Sequence, residues 1–182
     1  MTKIDLLAKL DETIKQIWKE DISIDNKNDC LLLEDSLKCA FYYHLRTRLG
    51  DGWFKNHRVR IYPEYHLSIG KKADIAIVLM IPAPERLGKH LSKSVESELA
   101  IIEFKYKNAS VDQPFFDDKK KLYEYFKAYP DTKLYAAFIR ESENDLSWFD
   151  KRQTENWGKG RLTELLGYWD ENCKLETRVN EY

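Results

Sequence analysis

Three charges in this chain stand where hydrophobic residues belong. Asp74 interrupts the run Ala73-Asp74-Ile75-Ala76-Ile77-Val78-Leu79-Met80-Ile81, and Glu103 and Lys105 interrupt Leu99-Ala100-Ile101-Ile102-Glu103-Phe104-Lys105-Tyr106. Both runs read as β-strands with little polar surface, of the kind found near the centre of a sheet. An unpaired charge there is costly, so it persists when it is paired or when it binds a cation. Glu103 and Lys105 are two apart and project to one face; Asp74 reaches that face if the two strands are neighbours. A carboxylate pair forms a hard, oxygen-rich site suited to Mg²⁺ or Mn²⁺. Such an ion polarises a phosphate and lowers the pKa of an attacking water, and a neighbouring lysine orients that water or stabilises charge on the phosphate. The chemistry expected is metal-dependent phosphodiester cleavage. Two plainer readings compete with it: an ion-pair face on an edge strand, and a buried structural network that takes no ligand.

The elements that must position these residues follow from periodicity. Ile4, Leu7, Leu10, Ile14 and Ile17 or Trp18 form a helical stripe over about Lys3 to Glu20, and the polar stretch Asp21 to Asp29 reads as a linker. A second helix is expected from about Leu31 to Leu49, stopped by Gly50. In a strand near Val59 to Leu67, Val59, Ile61, Pro63, Tyr65 and Leu67 alternate with Arg60, Tyr62, Glu64 and His66, and the proline suggests an edge or a bulge. The turn at Ser68 to Lys72 predicts an antiparallel partner from Ala73 to Ile81. A long polar loop, Pro82 to Ser97, precedes the strand Leu99 to Tyr106. A helix near Gln113 to Tyr129 and a strand over Lys133 to Arg140 complete a βαβ crossover, which implies a parallel pair. Arg161 to Asp170 is expected as a short helix and Lys174 to Val179 as a strand. The fold class is therefore α/β: a mixed central sheet flanked by helices, with an extra N-terminal helix. Residues 1–29 form the N-terminal helix and linker, and 30–182 the main domain, within one globular unit.

Asp74 on one strand and Glu103-Phe104-Lys105 on the next resemble the PD-(D/E)-x-K nuclease superfamily, and the element order resembles that superfamily's restriction endonuclease-like αβββαβ core. The resemblance spans about Leu31 to Arg140, and Ala73 stands where the family motif has proline. It implies that Asp74 and Glu103 bind a divalent metal, that Lys105 assists the nucleophilic water, and that a phosphodiester of DNA or RNA is cut. Many such nucleases also carry a glutamate on the first core helix. Here Glu34 falls on the apolar stripe with Leu37, Phe41 and Leu45, whereas Asp35 falls with Lys38, Tyr42 and Arg46 on a solvated face. Glu34 is therefore the expected third metal ligand. Asp118, Lys121 and Leu122 match a D-x-x-K-L run frequent in the family. Lys71, Lys72, Lys119 and Lys121 are candidate phosphate contacts, with a solvated surface as the alternative for each.

Composition narrows the field. The chain has 182 residues and a formal net charge of −1, so no global basic field marks a nucleic-acid binder, and such binding must use a local patch. Three cysteines without a CxxC pair argue against a disulfide framework or a cysteine zinc site and favour a reducing, cytoplasmic setting. His44, His57, His66 and His90 show no metal-binding spacing. The aromatics Trp148, Phe149, Trp157, Tyr168 and Trp169 near the C-terminal end suit packing or base stacking. No apolar stretch of membrane-spanning length occurs. The expected partner is nucleic acid, foremost DNA, with Mg²⁺ or Mn²⁺ as cofactor; a homodimer or a larger complex is compatible. The alternative is a catalytically inactive nuclease-fold module that binds nucleic acid or a protein.

Overall fold

The computed structural model describes residues 1–88, 90–108, 112–150 and 158–182. Its helices are α1 (Lys3–Gln16), α2 (Ile22–Lys27), α3 (Glu34–Asn56) and α4 (Gln113–Ala128). Its strands are β1 (Val59–His66), β2 (Lys72–Met80), β3 (Val95–Asn108), β4 (Lys133–Glu141), β5 (Leu162–Trp169) and β6 (Leu175–Glu181). Among the described residues the strands form one mixed sheet in the order β1-β2-β3-β4-β5-β6. The first two pairings are antiparallel, β3–β4 and β4–β5 are parallel, and β5–β6 is antiparallel. The class is α/β, and the hairpin and the βαβ crossover stand where the sequence places them.

Helices cover both faces because the central strands are apolar on both. On one face α1 and α3 bury Leu6, Leu10, Ile14, Leu37, Phe41 and Leu45 against Ile75, Ile77, Ile102 and Phe104. On the other, α4 packs Phe115, Leu122 and Tyr125 on Ile101, Leu134, Ala136 and Phe138.

Several local expectations are corrected. The stripe on α1 runs through Leu6 and Leu10, and Ile4 is exposed. Asp21 to Asp29 is largely helical: a π-helical turn, Ile17–Asp21, leads directly into α2. The π turn rotates the buried stripe so that Ile17, Trp18 and Ile22 are all buried. Trp18 Nε1 donates to the Leu166 carbonyl at 3.1 Å, tying this segment to β5. Gly50, with φ +77°, ends the regular part of α3 as expected, but helical turns resume beyond it. The long loop holds two short 3-10 turns, Ala83–Arg86 and Leu91–Ser94, and β3 begins earlier than expected, at Val95.

The expected helix over Arg161 to Asp170 is instead strand β5. Leu162, Leu165, Leu166 and Trp169 imitate helical spacing because β5 is flanked by strands on both sides and is buried on both faces, which erases alternation. Glu164 on β5 is fully buried and accepts hydrogen bonds from Ser147 Oγ, the Trp148 N–H, Asn180 Nδ2 and Tyr182 Oη. Phe149 is buried in the α4-side core, Trp148 stacks on Phe115, and Trp169 packs on the opposite face; Trp157 lies outside the described residues.

Candidate acid–lysine site

β2 and β3 are hydrogen-bonded as far as the Ile75–Ile102 pair, beyond which the ladder ends. Asp74 and Glu103, which would form the next pair, stand where the strands part. The Asp74 carboxylate takes over the role of a strand carbonyl, its Oδ2 accepting the Phe104 N–H at 2.8 Å. A backbone donor of β3 is thereby satisfied by a side chain, and the acid is held in the gap between the strands.

On the partner strand β1, Glu64 lies across from Asp74 and adopts a left-handed conformation, φ +55°. Pro63 precedes it, and the predicted alternation breaks there. Tyr62 and Tyr65 stack on the same side of the sheet, while Glu64 bridges Lys38 of α3 and Lys72. Lys38, expected on a solvated helix face, has a side chain only 13% exposed, with Nζ 3.6 Å from Asp74 Oδ1.

Glu103 is fully buried on the face covered by α4. Its Oε1 accepts the Tyr125 hydroxyl at 3.0 Å, and its Oε2 lies 3.2 Å from Lys121 Nζ. Burial, reinforced by the Asp74 charge, pushes its carboxyl up to about 8. Burial also raises the Asp74 pKa, opposed by the Phe104 N–H and Lys38.

Lys105 pairs with acids other than Glu103. Its Nζ lies 2.9 Å from Glu34 Oε2 and 2.9 Å from Asp118 Oδ2. Burial disfavours its charge, but these two carboxylates outweigh burial and raise its pKa. Glu34, the first residue of α3, therefore reaches the cluster, whereas Asp35 is exposed and lies 3.5 Å from Lys38. Asp118 is almost wholly buried and also lies 2.6 Å from Lys121.

All four residues expected to carry the chemistry, Glu34, Asp74, Glu103 and Lys105, thus belong to one charged cluster. Sequence reasoning places Asp118 only within a helix motif and reads Lys121 in that motif as a candidate phosphate contact, and it misses Tyr125 and Lys38. Asp118, Lys121, Leu122 and Tyr125 share one helix face by their spacing of three and four, which is the available signal.

The expected phosphate contacts sit differently. Lys71 lies 3.2 Å from Glu124, Lys72 bonds Glu64, and Lys119 donates to the Trp148 carbonyl at 2.9 Å and lies over the Phe149 ring. Lys121 is committed to Glu103 and Asp118. His66 is exposed on β1, and the three cysteines are free and exposed.

The cluster gathers the carboxyl groups of Glu34, Asp74, Glu103 and Asp118 around Lys38, Lys105 and Lys121, and burial holds Glu103 protonated at neutral pH. Its oxygen donors suit a hard divalent cation; burial is the main cause of the raised Glu103 pKa, and the smaller part due to the Asp74 charge is what such a cation would relieve. Among the described residues, no three acids, histidines or cysteines are grouped so that they could hold a metal ion. No helix among the described residues is long and apolar enough to cross a membrane. No protein-family model, curated protein or solved structure matches the chain.

Proposed function

We propose that this chain is a metal-dependent nuclease of the PD-(D/E)-x-K type, hydrolysing a phosphodiester of nucleic acid, foremost DNA. The observation that carries the reading is a fully buried Glu103 beside Asp74 at the point where β2 and β3 separate, with Lys105 on the same strand. The order α3-β1-β2-β3-α4-β4 supports a restriction endonuclease-like core.

Glu34, Asp74 and Glu103 would hold Mg²⁺ or Mn²⁺. When bound, such an ion supplies Lewis acidity toward the phosphate and lowers the pKa of an attacking water. The chain's own groups do the positioning. The Phe104 N–H fixes Asp74, and the Tyr125 hydroxyl fixes Glu103. Lys105, with a raised pKa, stays protonated at neutral pH and works as a cation that stabilises charge on the phosphate, not as a base. Asp118 holds its ammonium in place. Strands and a packed helix carry these groups, which limits the reorganisation needed during reaction.

The test is plasmid nicking and oligonucleotide cleavage by purified protein with Mg²⁺ or Mn²⁺, with Lys105→Ala and chelator controls. Cleavage that requires the metal and is lost in a folded Lys105→Ala variant is expected. Cleavage persisting in both controls would overturn the reading. A second reading, a non-catalytic binding module, is favoured by the engagement of every cluster carboxylate with protein donors. Absence of Mn²⁺ binding by calorimetry together with retained DNA binding would select it.

A further inference from the structure

A cavity of about 440 Å³ lies between α3 and β1, the outermost strand of the sheet. Gly50 shapes it. The break at Gly50 turns the chain so that Arg46, before the break, and Lys55, beyond it, line one space. Arg60 and Ile61 of β1 form another side, and Phe54 with Ile61 supplies apolar surface. The same helix and strand fix its distance from the acid–lysine cluster. Lys38, beside Asp74, is ion-paired to Glu64, which ties α3 to β1 at that point. Lys38, Tyr42 and Arg46 follow one another at i,i+4 positions on one face of α3. From Lys38 to Arg46 the helix rises about 12 Å. From Glu64 back to Arg60 the strand covers about 13 Å. Both walls therefore put the cavity about 12–13 Å from the Lys38–Asp74 contact.

The lining is cationic. Arg46, Lys55 and Arg60 face a single acid, Asp51. Arg60 is fixed by two hydrogen bonds from Nη1, to the Phe54 carbonyl at 2.9 Å and the Val59 carbonyl at 2.6 Å. Its Nε and Nη2 meet no acceptor among the described residues, and they are the pair of donors that grips two phosphate oxygens. Lys55 is exposed and has no ion-pair partner among the described residues. Arg46 pairs with Asp51 through Nη2 and reaches the Tyr42 hydroxyl through Nη1 at 3.4 Å. Side chains of that pair are 46% and 75% exposed, so the pair is weak and an incoming anion competes with Asp51 for the arginine.

We infer that this cavity is a phosphate-binding site that holds the nucleic-acid backbone beside the acid–lysine cluster, with Arg60 and Lys55 as the principal contacts and Arg46 joining them when it leaves Asp51. Phosphate contacts of this kind set the register of a strand without reading its sequence. A span of about 12 Å corresponds to three or four phosphates along one strand of a duplex. The lysines closest to the acids are engaged within the protein, so a cationic site at this distance supplies the hold on the substrate that they do not. The placement on a strand rests on the nuclease reading. The phosphate chemistry of the cavity does not, and a free phosphate compound shares it.

The experiment is fluorescence anisotropy in EDTA, so that neither metal nor cleavage is needed. The probes are a labelled DNA duplex and one of its single strands, with inorganic pyrophosphate as competitor. Wild type should bind oligonucleotide at low salt. The double variant Arg46→Gln, Lys55→Gln, altered only at exposed positions, should lose at least about tenfold in affinity, and its log–log salt slope should become shallower by about 1 to 2. Asp51→Asn, which removes the one acid and frees Arg46, should bind about two- to fivefold more tightly. Opposite signs at neighbouring exposed positions are not produced by a general loss of structure. Lys174→Gln, in the distant β5–β6 turn, should change little. Unchanged oligonucleotide affinity in the double variant overturns the inference. Pyrophosphate binding that is lost in the double variant, with no oligonucleotide binding by wild type, gives the cavity to a free phosphate compound and overturns its place on a strand. Oligonucleotide binding that depends on Arg46 and Lys55, without metal-dependent cleavage, would remove the nuclease reading and leave the phosphate site standing.

Discussion

Replacing Glu103 with glutamine should make the protein less sensitive to alkaline pH. The folded state holds this carboxyl at about 8 against an ordinary 4.5, so folding takes up a proton between those values. The stabilising protonated form is complete below about 4.5 and is lost as pH rises through about 8. The integrated penalty is about 5 kcal/mol above pH 8 and about 3 kcal/mol at pH 7, as orders of magnitude. The substituted amide would keep the Tyr125 hydrogen bond through its carbonyl oxygen, while Lys121 retains Asp118. Denaturant unfolding at pH 5, 7 and 8.5 measures the effect. Wild type should lose stability over this range more steeply than Glu103→Gln, by about 3 kcal/mol or more, and Mn²⁺ should stabilise wild type alone. Parallel pH profiles for the two proteins would refute the account of Glu103 as a carboxyl kept from ionising by burial and by Asp74.

Three further outcomes follow from packing. Trp18→Ala removes a fully buried indole and its bond to Leu166, and should cost about 3–5 kcal/mol in thermal or denaturant unfolding. Gly167→Ala places a Cβ 2.8 Å from Ile139 Cγ1 and 3.1 Å from Leu175 Cδ1, so overpacking between β5 and its neighbours should cost about 1–3 kcal/mol by the same measurement. Glu164→Ala strands the donors of Trp148 and Asn180; a loss of about 3 kcal/mol and faster limited proteolysis near residues 147–149 are expected.

The hairpin and the βαβ unit are legible in the sequence because their signals are local: a turn between apolar strands, and an amphipathic helix between two more. Glu34 also separates from Asp35, since helical geometry alone decides which one joins the buried stripe. What stays hidden depends on neighbours distant in the chain. Lys38 reads as solvated until β1 brings Glu64 and Asp74 beside it. Lys121 reads as one of three surface lysines until Glu103 lies beneath it. β5 carries a helix-like pattern because its burial on both faces comes from strands and helices on every side. The π turn is concealed for a related reason, as burial of Trp18 against β5 favours helical continuation through a polar stretch that reads as linker.

The long-range tie between the first helical segment and the last strands has a bearing on biogenesis. Trp18 bonds a carbonyl 148 residues later, and Tyr135 bonds Asp11 across 124. On a ribosome, the nascent amphipathic α1 must wait, its apolar side uncovered, until β4 and β5 have emerged. High sequence separation of this kind slows folding. A cell making this polypeptide quickly therefore faces a window in which chaperone capture of the emerging N-terminal segment competes with self-association.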